Sequence, residues 1–148
     1  MKKLLISLIA LCLGISVMAA EGWMTNMDKA MQMAKKTNKP VLVDFSGSDW
    51  CGWCMKLDRE VFSQKAFKDY AKDNLVLVIV DFPRSKKQSD QIRKQNKELA
   101  EKYKINGFPT VLVLDKDGKI LLRTGYRDGG AEKYVKFLKE EIAKAMKK

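Results

Sequence analysis

Val41-Leu42-Val43-Asp44-Phe45-Ser46-Gly47-Ser48-Asp49-Trp50-Cys51-Gly52-Trp53-Cys54 decides how the rest of this 148-residue chain is read. Its first five residues follow Pro40 and precede a Ser/Gly turn, and they carry the apolar pattern of a buried strand. One acid, Asp44, interrupts that run. The two cysteines beyond the turn are separated by two residues and can close a small disulfide ring. If the pair opens a helix, the N-terminal amide dipoles favour the Cys51 thiolate, the form that attacks a disulfide. Redox chemistry is therefore the leading expectation.

Zinc is the competing use of such a pair, and a closed structural zinc site normally takes four Cys or His ligands. The chain has no histidine, and its third cysteine, Cys12, lies far upstream. No metal and no other cofactor is expected. A Cys-His dyad is excluded as well, so proton transfer falls to a carboxylate, a lysine, the second thiol or water.

Residues 1–20 have the pattern of a secretory signal. Lys2 and Lys3 form a positive start, Leu4 to Val17 is mostly apolar, and Val17-Met18-Ala19-Ala20 offers small residues for cleavage. The apolar run is shorter than the roughly 20 residues a spanning helix needs. Bulky Leu11 stands where a small residue would precede a lipidated Cys12. Cleavage would leave residues 21–148 as one domain with a single core. It would take the formal charge from +11 to +9 and leave both remaining cysteines in the Cys51/Cys54 pair. A periplasmic or otherwise exported protein is expected, with no stable membrane insertion after cleavage.

Working outward, Thr25-Asn26-Met27-Asp28 has capping-box spacing, and Met24, Met27, Ala30, Met31 and Ala34 recur at helical intervals up to about Lys36. Asn38-Lys39-Pro40 stops that helix. A second helix is predicted from Cys51 through Met55 and Leu57, with Val61, Phe62, Phe67 and Tyr70 on its later apolar face. Leu75 to Phe82 reads as a second buried strand. Ser85 to Tyr103 is lysine-rich and helical in pattern, with Ile92, Leu99 and Tyr103 inward. Thr110 to Leu114 and Ile120 to Thr124 form a hairpin around Asp115-Lys116-Asp117-Gly118. A last helix starts near Ala131. The order α, β, α, β, α, β, β, α fits an α/β fold with a central mixed β-sheet flanked by helices.

This order, the strand before Trp50-Cys51-Gly52-Trp53-Cys54, and the later Gly107-Phe108-Pro109-Thr110 together resemble the thioredoxin superfamily across essentially the whole chain after residue 20. Lys39-Pro40-Val41-Leu42-Val43 followed by Asp49-Trp50-Cys51 looks especially like exported bacterial Dsb-type disulfide oxidoreductases. The resemblance implies the thioredoxin fold, an exposed nucleophile at Cys51 and a more buried resolving thiol at Cys54. It implies a cis-proline at Pro109 facing them, with Phe108 and Thr110 lining the substrate groove and Gly125 in a neighbouring loop. Gly52 and Trp53 form the spacer, and Trp50 and Trp53 either shape the reactive rim or pack. Asp44 matches the buried acid that serves the resolving thiol, the alternative being an aspartate that caps local backbone groups.

Three departures stand out. Ser46-Gly47-Ser48-Asp49 holds one residue more than the family pattern, which leaves the approach of Asp44 to Cys54 open. Leu77 takes the place where thioredoxins commonly set a lysine near the acid. The stretch from Phe82 to Lys102 is longer than usual and carries Arg84, Lys86, Lys87, Arg93, Lys94 and Lys97, as a solvated basic helix or as a docking surface. The expected function is exchange with a protein or small-molecule disulfide or dithiol, supported by a redox partner protein. The spacer lacks the histidine of strongly oxidising relatives, which favours a disulfide reductase over an oxidase, and isomerisation is less favoured because no dimerisation domain is visible. The chief alternative is a binding module whose basic surface recruits an acidic protein or membrane headgroups. Nucleic acid is not an expected partner, because no interleaved aromatic and basic repeat is present.

Overall fold

The computed structural model describes residues 22–147, so the expected signal segment 1–20 lies outside the described residues. The elements run β1 (Trp23–Met24), α1 (Met27–Thr37), β2 (Val41–Ser46), α2 (Gly52–Leu57), a π-helical turn (Asp58–Phe62) and α3 (Lys65–Asn74). They continue with β3 (Val76–Asp81), α4 (Asp90–Lys102), β4 (Thr110–Leu114), β5 (Ile120–Thr124) and α5 (Gly130–Met146). The strands form one mixed sheet in the order β1-β3-β2-β4-β5. β1 and β2 run parallel to β3, β4 is antiparallel to β2, and β5 is antiparallel to β4.

β2 lies at the centre with all six residues buried, as a strand covered on both faces must be. Side chains alternate across the sheet, so the even and odd residues of β2 enter different cores. Leu42 faces the α2, α3 and α5 side with Leu57, Phe67, Tyr134 and Leu138. Val41, Val43 and Phe45 face the other side, with Ala30 and Ala34 of α1 and with Tyr103 after α4. Each fully buried Leu or Phe among them contributes roughly 1.5–3 kcal/mol through surface removed from water. The same alternation sends Asp44 and Ser46 toward the layer that holds α2, which is how the acid reaches the cysteine pair.

Several local signals act as the sequence predicts. Asn38 ends α1 in the left-handed region at φ 54, a conformation asparagine tolerates, and Pro40 follows. The Asp115 carboxylate accepts the backbone N–H groups of Asp117 and Lys119, and Gly118 supplies φ 87 for the β4–β5 turn. Other expectations shift. The N-cap of α1 is Asn26, not Thr25: the Asn26 side chain accepts the Lys29 N–H at 2.9 Å. β1 is an additional strand, ordered by two residues of pairing with Leu77 and Val78.

The single helix predicted beyond Cys51 is broken. Its π-helical turn, closed by the Ser63 N–H on the Asp58 carbonyl at 2.8 Å, adds a residue to the turn and leaves both Val61 and Phe62 buried. The basic stretch is not helical from Ser85 either, because α4 starts only at Asp90, capped by Ser89. The β2–β3 register also corrects the position beside the acid. Asp44 pairs with Ile79 and Leu42 with Leu77, so Ile79 is the apolar neighbour of the carboxylate in β3.

Candidate active site

Between the end of β2 and the start of α2 the chain makes one tight turn. The Gly47 carbonyl accepts the N–H groups of Trp50 at 3.2 Å and Cys51 at 2.8 Å. A Cβ at Gly47 would come within 2.4 Å of the Trp50 ring, so the indole can lie against the turn only because residue 47 is glycine. The turn delivers Cys51 as the N-cap of α2, in extended conformation, with its Sγ accepting the Cys54 N–H at 3.2 Å. Cys51 and Cys54 form a disulfide, with Cα atoms 5.2 Å apart.

The exposure contrast implied by the resemblance is nearly absent in this state. Cys51 is 7% exposed and Cys54 4%, because the disulfide folds the Cys51 sulfur back over the first turn of α2. What sets Cys51 apart from Cys54 is its place at the helix start, where its Sγ takes a backbone N–H. Gly52, next in the chain, is exposed, and a Cβ there would meet nothing within 4 Å.

Asp44 is 6% exposed, and its Oδ1 has no hydrogen-bond partner. Burial, with further contributions from the carboxylates of Asp58 and Asp81, pushes its pKa up to about 7. Asp44 and Cys54 line one cavity of about 380 Å³, which also touches Ser46, Ser48, Asp58 and Lys86. The extra residue in the β2–α2 turn thus leaves acid and thiol side opening onto the same space. Backbone capping falls to Asp49, which sequence reasoning passed over. Its carboxylate accepts the N–H groups of Arg84, Ser85 and Lys86 at 2.9, 2.7 and 3.1 Å, and these bonds hold its pKa below the usual carboxylate range. Only the turn-forming composition of Ser46-Gly47-Ser48-Asp49 hinted at it; its donors lie 35 to 37 residues away.

The two tryptophans divide the alternatives between them. Trp50 packs: its Nε1 donates to the Phe82 carbonyl at 2.8 Å, its ring meets Phe108 edge-on at 5.9 Å, and the Arg84 guanidinium lies 4.0 Å over it. Trp53 stands on the rim at 58% exposure, tilted against Tyr126 at 5.2 Å. Lys56 Nζ sits 5.0 Å from the Trp53 ring and 4.8 Å from that of Tyr126, whose hydroxyl donates to Glu60 at 2.6 Å. Lys56, Glu60 and Tyr126 are rim residues that the sequence did not single out.

The Phe108–Pro109 peptide bond is cis. Gly125 lies against it, since a Cβ at Gly125 would meet the Pro109 carbonyl oxygen at 3.0 Å, and the Tyr134 hydroxyl fixes the Gly125 carbonyl from behind at 3.0 Å. Phe108 also packs on Phe82 at 5.2 Å. Thr110 turns its hydroxyl back to the Gly107 carbonyl at 2.7 Å and opens β4 beside Phe45.

The thioredoxin-like domain family matches residues 27–141. A disulfide bond reductase, DsbH, of Chlamydia pneumoniae is 38% identical over 114 residues, which cover 77% of this chain and 69% of that protein. The thioredoxin-related protein DsbJ of the same organism is 36% identical over 103 residues, 70% of this chain but 30% of its own length. Among solved structures, a DsbH oxidoreductase superposes with a TM-score of 0.80 at 35% identity, covering 93% of this chain and 95% of that one. With the thioredoxin fold and a disulfide-linked CxxC pair at the start of a helix, the chain belongs to the thioredoxin-like family, among its Dsb-type thiol–disulfide oxidoreductases.

Proposed function

We propose that the chain is an exported disulfide reductase, with residues 1–20 as a cleaved signal and 21–148 as the working domain. The observation that carries the reading is the Cys51–Cys54 disulfide at the start of α2, with Asp44 opening onto the same cavity as Cys54. In the reduced protein, the Cys51 thiolate attacks one sulfur of a substrate disulfide and the other leaves as a thiolate. Cys54 then gives up its proton to Asp44 and attacks the Cys51 sulfur, which releases the second substrate thiolate and forms the Cys51–Cys54 disulfide. Two electrons pass from the pair to the substrate, and a dithiol partner protein returns the pair to the reduced state. A carboxyl with a pKa of about 7 is suited to taking and returning that proton near neutrality.

The direction is supported by the Gly52-Trp53 spacer, which offers no imidazole to stabilise the Cys51 thiolate, and by the similarity to a protein named a disulfide bond reductase. The groove is assigned to Trp50, Gly52, Trp53, Phe108, Pro109, Thr110 and Gly125. Trapping is the test. Cys51→Ser should abolish exchange, whereas Cys54→Ser should accumulate a mixed disulfide on Cys51, read by mass spectrometry after incubation with a disulfide substrate. Adducts on Cys54 alone would reverse the roles, and no exchange by the wild-type protein would leave a binding module. A reduction potential above that of the exporting compartment would overturn the reducing direction.

A further inference from the structure

The long basic segment after β3 divides into two parts with different pairing. On α4 two cations have carboxylates of their own: Arg93 pairs with Asp90, and Lys94 reaches Glu98 at 3.0 Å. That part is a solvated helix face. The part before α4 is an irregular loop bound to the redox turn. Asp49, two residues before Cys51, accepts three successive N–H groups from Arg84, Ser85 and Lys86. Gln88 and Asn96 donate to the Asp81 carbonyl at 3.1 and 2.9 Å and hold the loop's base.

Within this loop Arg84 is stacked at 4.0 Å on Trp50, the residue next to Cys51, and Lys86 lines the cavity shared by Asp44 and Cys54. Arg84, Lys86 and Lys87 are exposed. Among the described residues no carboxylate lies within 4.0 Å of their charged groups. Three acids near the loop and the rim are engaged elsewhere. Asp49 serves the backbone, Asp81 takes the N–H and hydroxyl of Ser48, and Glu60 takes the Tyr126 hydroxyl. Arg84 and Lys86 are thus anchored through their backbone beside the redox turn, with Lys87 next in the chain, on a protein of formal charge +11.

We infer that Arg84, Lys86 and Lys87 form a specificity site for the protein substrate, selecting disulfides whose flanking residues are acidic. This deepens the proposed reductase function and rests on it. Substrate carboxylates meet the loop cations without displacing an internal carboxylate, and at Lys86 they compete only with one long hydrogen bond to the Ser48 hydroxyl at 3.4 Å. Arg84, exposed and 4.0 Å over the Trp50 ring, can offer its guanidinium N–H groups to a carboxylate. A charged rim of this kind acts mainly on the rate of encounter, and its effect falls with salt.

The test uses the reduced mature protein and three peptides of equal length, each closed by one disulfide and flanked by Glu, Gln or Lys. Rates of peptide reduction are read by stopped-flow fluorescence at low and high salt. The Glu peptide should react about tenfold faster than the Lys peptide at ~0.01 M salt, where the Debye length is about 30 Å, and the gap should largely close at ~1 M. The double variant Lys86→Glu, Lys87→Glu should cancel or invert the preference. A matched charge reversal on α4 and α5, Lys97→Glu with Lys136→Glu, should keep it. Equal rates for the three peptides, or equal loss in both double variants, would overturn the specificity site. Neutral hydroxyethyl disulfide separates the two readings: if wild-type protein fails to reduce it, the reductase function itself falls, whereas reduction without peptide preference sinks only the site.

Discussion

Asp44→Asn should remove most of a pH dependence from the stability of the oxidised protein. The carboxyl is 6% exposed with one oxygen unpartnered, and its pKa stands at about 7 in the fold against 3.8 for a free side chain. Between those values the folded state keeps a proton that the unfolded chain releases. The contribution to stability is therefore full below about pH 4 and is lost as the pH rises through about 7, at about 1.4 kcal/mol per unit. The whole window amounts to about 4 kcal/mol as an upper figure, because water entering the adjacent cavity would lessen the desolvation. Asparagine carries no charge at any of these pH values. Wild-type stability should thus fall relative to Asp44→Asn by roughly 2 to 4 kcal/mol between about pH 4 and pH 8. Urea unfolding of both disulfide-bonded proteins across that range gives the comparison, and the carboxylates common to both cancel in the difference. Curves that stay parallel within about 0.5 kcal/mol would refute the claim that burial raises this acid.

Two further substitutions test other parts of the structure. Trp53→His places a hydrogen-bonding, partly cationic ring beside the Cys51 thiolate and should stabilise the reduced form more than the disulfide. A differential of about 1.4 kcal/mol would raise the two-electron potential by about 30 mV, read by equilibration with wild type in the same glutathione buffers. An equal or lower potential, with both proteins folded, would defeat the spacer argument. Asn96→Ala should cost about 1 to 2 kcal/mol in chemical unfolding. It deletes a buried donor to the Asp81 carbonyl, and the second donor at that carbonyl, Gln88, keeps the loss at the lower end. No measurable destabilisation would mean that Asn96 does not hold the base of the basic loop.

The parts of the molecule legible in sequence are those whose cause is local. Val41 to Phe45 reads as a buried strand because apolar residues follow one another between a proline and a glycine-containing turn. Asn38 and Pro40 stop α1, Asp115 and Gly118 turn the hairpin, and two cysteines at this spacing can close a small disulfide ring within one turn of chain. The cysteine pair and the buried acid were therefore visible from residue order and chemistry. Tertiary structure decided what depends on residues far apart in the chain. Strand register placed Ile79, not Leu77, beside Asp44, and a shift of one residue would have turned every side chain to the other face. β1 is a strand only because β3 offers it backbone partners. Asp49 is an anchor only because residues 84–86 return to it, and Trp50 packs while Trp53 stays on the rim only because Phe82, Arg84 and Phe108 converge on one indole. Periodicity specifies which residues leave water, whereas the partner each one meets is fixed by how distant segments share the sheet.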